Sequence, residues 1–215
     1  MSGLRRQFAD VLLVDGSRLD AVVHQLKLLR PHRRVVLGGC LTVYYDLWRG
    51  IPRRVFFYAD AAKAELIRAM ETLSWIPKGA LLIGDRLYSA SPKFFAALNT
   101  LGAYGLFRLN RVLGVRRTQV LARHQDRWGF VEDALVTIGS GQRGIPPQTV
   151  RRIRYRRKGL RRDILTSVLD PKKLPLEDIL AIYGLRWSIE RMFLDLKETM
   201  DLHTLYASHP NLVGQ

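Results

Sequence analysis

Two short apolar runs of this chain each end at an aspartate, and this repeated pattern restricts the folds open to it. Residues 9–14 (ADVLLV) lead to Asp15, and residues 80–83 (ALLI) lead through a glycine to Asp85. Runs of this length and composition are typical of buried strands, and the polar residues after them indicate turns. The pattern therefore predicts core strands that each deliver a carboxylate where the strand meets solvent.

Strand and helix patterns alternate in the first half of the chain. Stretches rich in Val, Tyr and Phe at residues 33–46 and 53–60 flank a turn at 49–52 and predict a hairpin. The other predicted elements are helices over 61–75 and 91–98 and strands over 103–110 and 164–170. This order predicts an α/β fold in which helices flank a mixed sheet.

The stretch between the fifth strand and residue 163 has a different composition. Residues 111–163 are rich in Arg and Gly and alternate in polarity, which predicts a β-rich basic insertion, with a mobile loop region as the alternative. The expected organisation is therefore a core in two parts, residues 1–110 and 164–215, interrupted by this insertion.

Within the insertion, residues 151–162 (RRIRYRRKGLRR) hold eight Arg or Lys in twelve positions. Along a strand, Arg152, Arg154 and Arg156 share one face. Such a basic ribbon is suited to contacting backbone phosphates, and a solvated charged loop is the alternative.

Residues 176–200 predict a single long helix with one polar stripe. At about 100° per residue, Tyr183, Arg186, Glu190 and Lys197 fall on the same narrow stripe. A carboxylate flanked by Arg, Tyr and Lys suits metal binding beside phosphate contacts. An ordinary surface pair between Arg186 and Glu190 explains the same spacing equally well.

The charge of the chain points to an anionic partner. Its 35 Lys and Arg against 19 Asp and Glu give a net charge of +16, and nucleic acid is the commonest partner of such a domain. Charge alone leaves ribosomal proteins, nucleases, recombinases and membrane-surface proteins open. No apolar run approaches the roughly 20 residues of a membrane span, so the cytoplasm or the nucleoid is the expected location.

Three motifs together resemble those of the insertion-sequence-four group of DDE transposases. That group is marked by Tyr, two residues, Arg, three residues, Glu, six residues and Lys, which Tyr183, Arg186, Glu190 and Lys197 match at every step. It also has Asp-Gly-Ser or Asp-Gly-Thr after its first strand and Asp-Arg-x-Tyr or Phe after a later one. The segments Asp15-Gly16-Ser17 and Asp85-Arg86-Leu87-Tyr88 fill those places.

The resemblance implies an RNase H-like fold with its β-rich insertion before the Glu-bearing helix. It implies that Asp15, Asp85 and Glu190 are catalytic and bind Mg²⁺, with Mn²⁺ as a substitute. Further implied DNA contacts are Tyr183, Arg186, Lys197 and Arg86, although an ion pair at the edge of the site is an equal alternative for Arg86. The implied reactions are hydrolysis and strand transfer at the ends of a transposon in double-stranded DNA, carried out by a homodimer in a synaptic complex.

The chain also departs from the group. Members usually have a DNA-binding region before the first strand and further helices after the Glu-bearing one, whereas this chain ends 25 residues after Glu190. A fragment or truncated product is therefore expected. A basic domain that binds DNA without cutting it, and a nuclease without strand transfer, are the competing functions. Asp46 and Asp60 also end strands, but Asp46 fits an ordinary hairpin turn and neither is included in the site.

Overall fold

The protein is described by a computed structural model that covers residues 4–18, 39–60, 62–127, 129–139, 144, 146–157 and 159–199. The side chains of residues 18, 126 and 196–199 lie outside this description. None of the helices in these residues combines the length and apolar composition that a membrane span requires.

Nine strands are formed by the described residues. They are β1 (Val11–Arg18), β2 (Cys40–Asp46), β3 (Ile51–Tyr58), β4 (Leu81–Gly84), β5 (Tyr104–Arg108), β6 (Val115–Asp126), β7 (Gly129–Ile138), β8 (Gln148–Arg157) and β9 (Leu160–Thr166). The helices are α1 (Leu4–Gln7), α2 (Glu65–Thr72), α3 (Pro92–Thr100), α4 (Leu176–Gly184) and α5 (Trp187–Thr199), with 3-10 turns at Leu73–Trp75 and Tyr88–Ala90. The predicted α/β class with a large mixed sheet and helices is confirmed.

The chain divides into two compact units. The first contains residues 1–12 and 73–185, and the second contains residues 13–72 and 186–215. Strand β1 contributes its first two residues to the first unit and the rest to the second. The predicted three-part organisation remains a prediction, and its boundary after residue 163 falls inside β9.

The first unit contains a mixed sheet with the strand order β1-β4-β5-β9-β8-β7-β6. Strands β4 and β5 are parallel, with Gly84 opposite Phe107, and β5 to β9 and all later pairs are antiparallel. The aromatic core of this unit is a cluster of Tyr88, Phe94, Phe95 and Phe107, whose ring centroids lie 5.3–5.9 Å apart in the contacting pairs. Helix α3, which begins at a proline as predicted, supplies two of these rings.

The second unit contains the strand order β3-β2-β1. Strands β2 and β3 form the predicted antiparallel hairpin. Asp46 is the last residue of β2, directly before the turn. Helix α2 packs against β2 through the hydroxyl of buried Tyr44, which lies 2.7 Å from the Thr72 hydroxyl. Asp46 accepts hydrogen bonds from the backbone N–H groups of Trp48 and Arg49, each at 2.9 Å. This confirms its interpretation as a hairpin-turn residue.

Two sequence predictions need correction. The single helix predicted over residues 176–200 is interrupted at Leu185 and Arg186. Gly184 lowers the helix propensity there, and the N–H of Leu185 turns back to the carbonyl of Ile182 at 2.9 Å, which tightens and ends the helix. The angular stripe from Tyr183 to Lys197 assumed one continuous helix, and the break at Leu185 and Arg186 removes that assumption.

Strand β1 also differs from its prediction. The sequence pattern predicts a turn at Asp15, but extended structure continues through Asp15 to Arg18. Asp15 is therefore a strand residue, and the two residues before it, Leu13 and Val14, are fully buried.

Candidate active site and arginine-rich sheet face

Asp15 lies half-buried on β1 in the second unit. Its Oδ1 accepts a hydrogen bond from the backbone N–H of Gly16 at 2.9 Å. Glu65, the first residue of α2, packs over this glycine so closely that an added Cβ would lie 2.7 Å from its Cδ and 2.9 Å from its Oε2. The structure thus places a second acidic side chain against the Asp15 segment. The sequence analysis missed Glu65, because only the fold brings residues 15 and 65 together.

Asp85 directly follows β4 in the first unit and is also half-buried. Its Oδ1 accepts a hydrogen bond from the N–H of Leu87 at 2.6 Å, which closes a tight turn. The turn leads into Tyr88, whose buried ring packs 5.5 Å from the ring of Phe94. The Asp-Arg-x-Tyr spacing therefore has a local structural reason: the aspartate closes the turn and the tyrosine anchors it in the core.

Ser89 ties this turn to the end of β5. Its buried hydroxyl accepts a hydrogen bond from the Asn110 backbone N–H at 2.8 Å and donates to the Arg108 carbonyl at 2.6 Å. The side-chain amide of Asn110 donates to the Arg86 carbonyl at 3.0 Å. Asp85 is thus held from two neighbouring strands.

Arg86 projects from this turn with an exposed side chain. Within the residues that the structure describes, its guanidinium makes no ion pair, so the alternative of an ion pair with a described residue at the edge of the site gains no support. Its carbonyl is fixed by Asn110, while its charged end is accessible to a phosphate.

Glu190 lies on the first turn of α5 in the second unit. Its Oε1 is 2.6 Å from Nη1 of Arg186, and the two side chains are 34% and 15% exposed. The i,i+4 pair that the sequence analysis considered is therefore formed. Arg186 also lies against the indole of Trp187, at 5.6 Å from the ring centroid.

Tyr183 and Lys197 complete the tyrosine-to-lysine motif. Tyr183 is buried on α4, with the guanidinium carbon of Arg162 5.9 Å from its ring centroid. Lys197 lies on α5, and its side chain is outside the described residues.

The three predicted carboxylates are hard oxygen donors, the type that Mg²⁺ prefers. Asp85 belongs to the first unit, whereas Asp15 and Glu190 belong to the second. In the described part of the chain, no group of three or more His, Cys, Asp or Glu side chains is arranged to hold a metal ion. The donor chemistry fits the cation, and each carboxylate has an oxygen held by a hydrogen bond or an ion pair.

The predicted basic ribbon is strand β8, and its arginines are paired with acids. Arg152 is 7% exposed and lies 3.3 Å from Glu132, while Arg154 and Arg156 contact Asp163 at 3.5 and 2.8 Å. Direct contact with a phosphate needs an exposure that Arg152 lacks here. Arg154 and Arg156 are about one-third exposed.

The arginines of this face lower the pKa of the Glu132 carboxyl. Burial raises the pKa of its carboxyl, but the hydrogen bond from Arg123 and the charges of Arg123, Arg117 and Arg154 outweigh burial and lower the pKa overall. Burial, with the charge of Arg154, lowers the pKa of the Arg152 guanidinium, against the opposing effect of its acidic partners. Glu132 is thus held as a carboxylate among arginines.

Comparisons with known proteins are consistent with these features. A family model described as "Transposase DDE domain" matches residues 44–213. One similar solved structure is "Cryo-EM structure of piggyBac transposase synaptic complex with hairpin DNA (SNHP)", with a TM-score of 0.51 and 9% sequence identity. The similarity covers 98% of this chain and 45% of that chain, so this chain spans less than half the length of that structure. No curated protein matches the sequence.

Proposed function

The chain belongs to the transposase DDE domain family, and from this membership we propose that it is the metal-dependent catalytic core of a cut-and-paste DNA transposase. Its proposed reactions are hydrolysis of a phosphodiester bond at a transposon end and attack of the freed 3′-OH on a phosphodiester bond of target DNA. The attack joins the transposon strand to the target phosphate and releases a target 3′-OH. We assign it to the insertion-sequence-four group on the spacing of Tyr183, Arg186, Glu190 and Lys197.

The observation that carries the proposal is the family match itself, which spans most of the chain. Asp85 and Glu190 both lie within the matched residues 44–213, whereas Asp15 precedes them. The role of Asp15 therefore rests on the Asp-Gly-Ser pattern and on its place on a core strand.

Asp15, Asp85 and Glu190 are the residues that would hold Mg²⁺, or Mn²⁺ in its place. The bound cations would supply an activated water and stabilise the leaving oxygen of the cleaved phosphodiester. The chain itself contributes position: the Leu87 N–H and the Ser89 network fix the Asp85 turn, and Arg186 orients the carboxylate of Glu190.

The proposed DNA contacts surround these carboxylates in the sequence. Arg86 presents an exposed guanidinium next to Asp85, and Arg186 and Lys197 would bind phosphates beside Glu190, with Tyr183 adding a hydrogen bond. Arg154 and Arg156 are proposed to contact the backbone on the β-rich face. Arg152 would act through Glu132 rather than directly, because it is buried.

An RNase H-like core, a homodimeric synaptic complex on double-stranded DNA and a location in the cytoplasm or on the nucleoid complete the proposal. The piggyBac structure supports the fold, since the similarity covers 98% of the present chain. That structure is itself a synaptic complex with hairpin DNA, which makes the same kind of assembly a reasonable expectation here.

The test is cleavage of a supercoiled plasmid and of a duplex that carries the inverted repeats flanking the gene, with Mg²⁺, Mn²⁺ or EDTA. We expect metal-dependent nicking by the wild-type chain and none by Asp85→Ala or Glu190→Ala. Asp15→Ala tests the carboxylate that lies outside the family match. Glu177→Ala is the matched control, because it removes an exposed carboxylate from α4.

The outcomes separate the candidate functions. Cleavage by wild type and Asp85→Ala at equal rates would overturn the catalytic assignment. DNA binding without metal-dependent cleavage by any variant would support a non-catalytic DNA-binding domain instead. Nicking without joining of a 3′-OH to target DNA would support a nuclease that lacks strand transfer.

A further inference from the structure

The face of β7 and β8 that holds Arg152 also collects arginines from β6 around a buried glutamate. Oε2 of Glu132 lies 3.2 Å from Nη1 of Arg117 and 2.6 Å from Nη2 of Arg123, and Oε1 lies 3.3 Å from Nη2 of Arg152. The Glu132 side chain is 2% exposed. We call these four residues the Glu132 cluster. Its three guanidiniums and one carboxylate carry a net charge of +2.

The members of the cluster differ sharply in exposure. Arg152 is 9% exposed in its side chain, whereas Arg117 and Arg123 are 51% and 50% exposed. A guanidinium has five N–H donors. Within the described residues, Arg117 and Arg123 each donate one hydrogen bond, to Glu132. Their remaining donors are available to an anion in solvent.

The cluster continues into a larger basic face. The strand register aligns Arg123, Glu132, Arg154 and Asp163 in one row across β6, β7, β8 and β9. Arg156 lies two residues further along β8 and shares Asp163 with Arg154. The five arginines and two acids named here carry a net charge of +3, and the acids hold the arginines side by side.

We propose that this face binds the phosphodiester backbone of duplex DNA, with Arg117 and Arg123 of the Glu132 cluster as direct phosphate contacts. The choice of DNA among polyanions rests on the proposed function. Guanidiniums bind phosphate oxygens through paired N–H donors, and two of them fixed on one carboxylate lose little freedom when a phosphate arrives. The direct contacts thus lie on β6, a strand that the composition of residues 151–162 did not single out.

Consecutive residues of β6 provide a matched control. Arg116 and Arg117 are both exposed and carry the same charge, but side chains alternate along a strand and therefore point to opposite faces. Arg117→Gln and Arg116→Gln change the net charge of the chain equally. Glu132 retains two guanidinium partners in Arg117→Gln, so the fold is expected to persist, and Arg117→Lys restores the charge alone.

The experiment measures the affinity of each variant for a 30-base-pair DNA duplex of arbitrary sequence, in EDTA, over a series of salt concentrations. The plot of the log of the binding constant against the log of the salt concentration has a negative slope. Loss of one phosphate contact makes this slope shallower by about 0.9 and weakens binding about eightfold near 0.1 M salt. We expect this change for Arg117→Gln and Arg123→Gln, a smaller one for Arg116→Gln, and recovery of the slope in Arg117→Lys.

Equal losses for Arg116→Gln and Arg117→Gln would overturn the proposal, because they would show only an effect of net charge. Lower thermal stability with unchanged DNA affinity would also overturn it and leave the cluster a purely structural one. Tighter binding of the same face to double-stranded RNA would refute DNA as its ligand. Metal-dependent cleavage by the wild-type chain is measured separately. Its absence, together with the expected slopes, would count against the proposed function and not against this face.

Discussion

Ser89 accepts a hydrogen bond from the backbone N–H of Asn110 at 2.8 Å, which joins the turn after β4 to the residue two positions beyond β5. The Ser89 hydroxyl is fully buried, and it also donates to the Arg108 carbonyl. This contact fixes the segment in which Asp85 lies. Neither residue belongs to a recognisable sequence motif. The contact depends on the parallel pairing of β4 and β5, which sequence pattern alone does not reveal.

Ser89→Ala is expected to destabilise the protein by about 1–3 kcal/mol, since it removes two hydrogen bonds, from the Asn110 N–H and to the Arg108 carbonyl, each worth about 0.5–1.5 kcal/mol. Amide exchange should accelerate at Asn110 and at Leu87. Thr100→Ala is the control, because it removes an exposed hydroxyl whose partner among the described residues is the Ala96 carbonyl. Unchanged exchange at Asn110 in Ser89→Ala would refute the clamp.

The ion pair between Arg151 and Asp133 is the second prediction. Arg151 is fully buried, binds both carboxylate oxygens of Asp133 and donates to the Leu174 carbonyl at 2.6 Å. Arg151→Met leaves a buried carboxylate without its partner and should cost about 3–5 kcal/mol in urea unfolding.

The double variant Arg151→Met with Asp133→Leu should recover most of that loss, because it removes both buried charges together. A double variant no more stable than Arg151→Met would show that the cost comes from packing and from the Leu174 contact rather than from the charge.

The sequence predicted the strands that depend on local pattern, such as β4 before Asp85 and the β2–β3 hairpin around its turn. The sequence pattern failed where tertiary contacts determine the local structure. The helix period continued smoothly from Tyr183 to Glu190, yet the chain turns at Leu185. Propensity differences of under 1 kcal/mol for most residues cannot locate such a break against tertiary packing.

The candidate site shows the same limit. Asp85 and Glu190 were predicted as site residues because each belongs to a spaced motif, and both positions lie within the residues that the family model matches. The packing of Glu65 over Gly16 joins residues far apart in sequence, and no local pattern signals it. Composition marked β8 as basic, but it did not distinguish buried Arg152 from the half-exposed arginines of β6.

Asp46 gives a prediction about the stability of the protein at low pH. Burial raises the pKa of its carboxyl, but hydrogen bonds from the Arg49 N–H, the Arg49 guanidinium and the Trp48 N–H outweigh burial and lower the pKa overall. Its contribution to stability is therefore complete above its ordinary pKa of 3.8 and is lost as the pH falls through the lower folded value.

Asp46→Asn should lose about 1–2 kcal/mol at neutral pH, because bonds to a charged acceptor are stronger than bonds to a neutral one. Its unfolding free energy should also fall less steeply below pH 4 than that of the wild type. Asp170→Asn, at an exposed turn carboxylate that accepts from the Lys172 N–H, is the control. Parallel acid-unfolding curves for wild type and Asp46→Asn would contradict the prediction.

Gly16 and Glu65 give the last prediction, which concerns whether Gly16→Ala stabilises or destabilises the protein. Replacing a glycine by alanine at a compatible strand position stabilises a protein by about 0.4–1 kcal/mol through the unfolded chain. At Gly16 the new Cβ would meet the Glu65 carboxylate at 2.7–2.9 Å. The flexible end of Glu65 has to move, so Gly16→Ala should be neutral or mildly destabilising in the wild type.

In a Glu65→Ala background the obstruction is gone, and the same Gly16→Ala change should become stabilising. The double-mutant cycle isolates this coupling from any other effect of losing Glu65, and urea unfolding of the four proteins measures it. A coupling energy near zero would mean that Glu65 does not pack on the Asp15 segment in solution. A coupling of about 0.5 kcal/mol or more would place an acidic side chain beside the carboxylate that the family match leaves out.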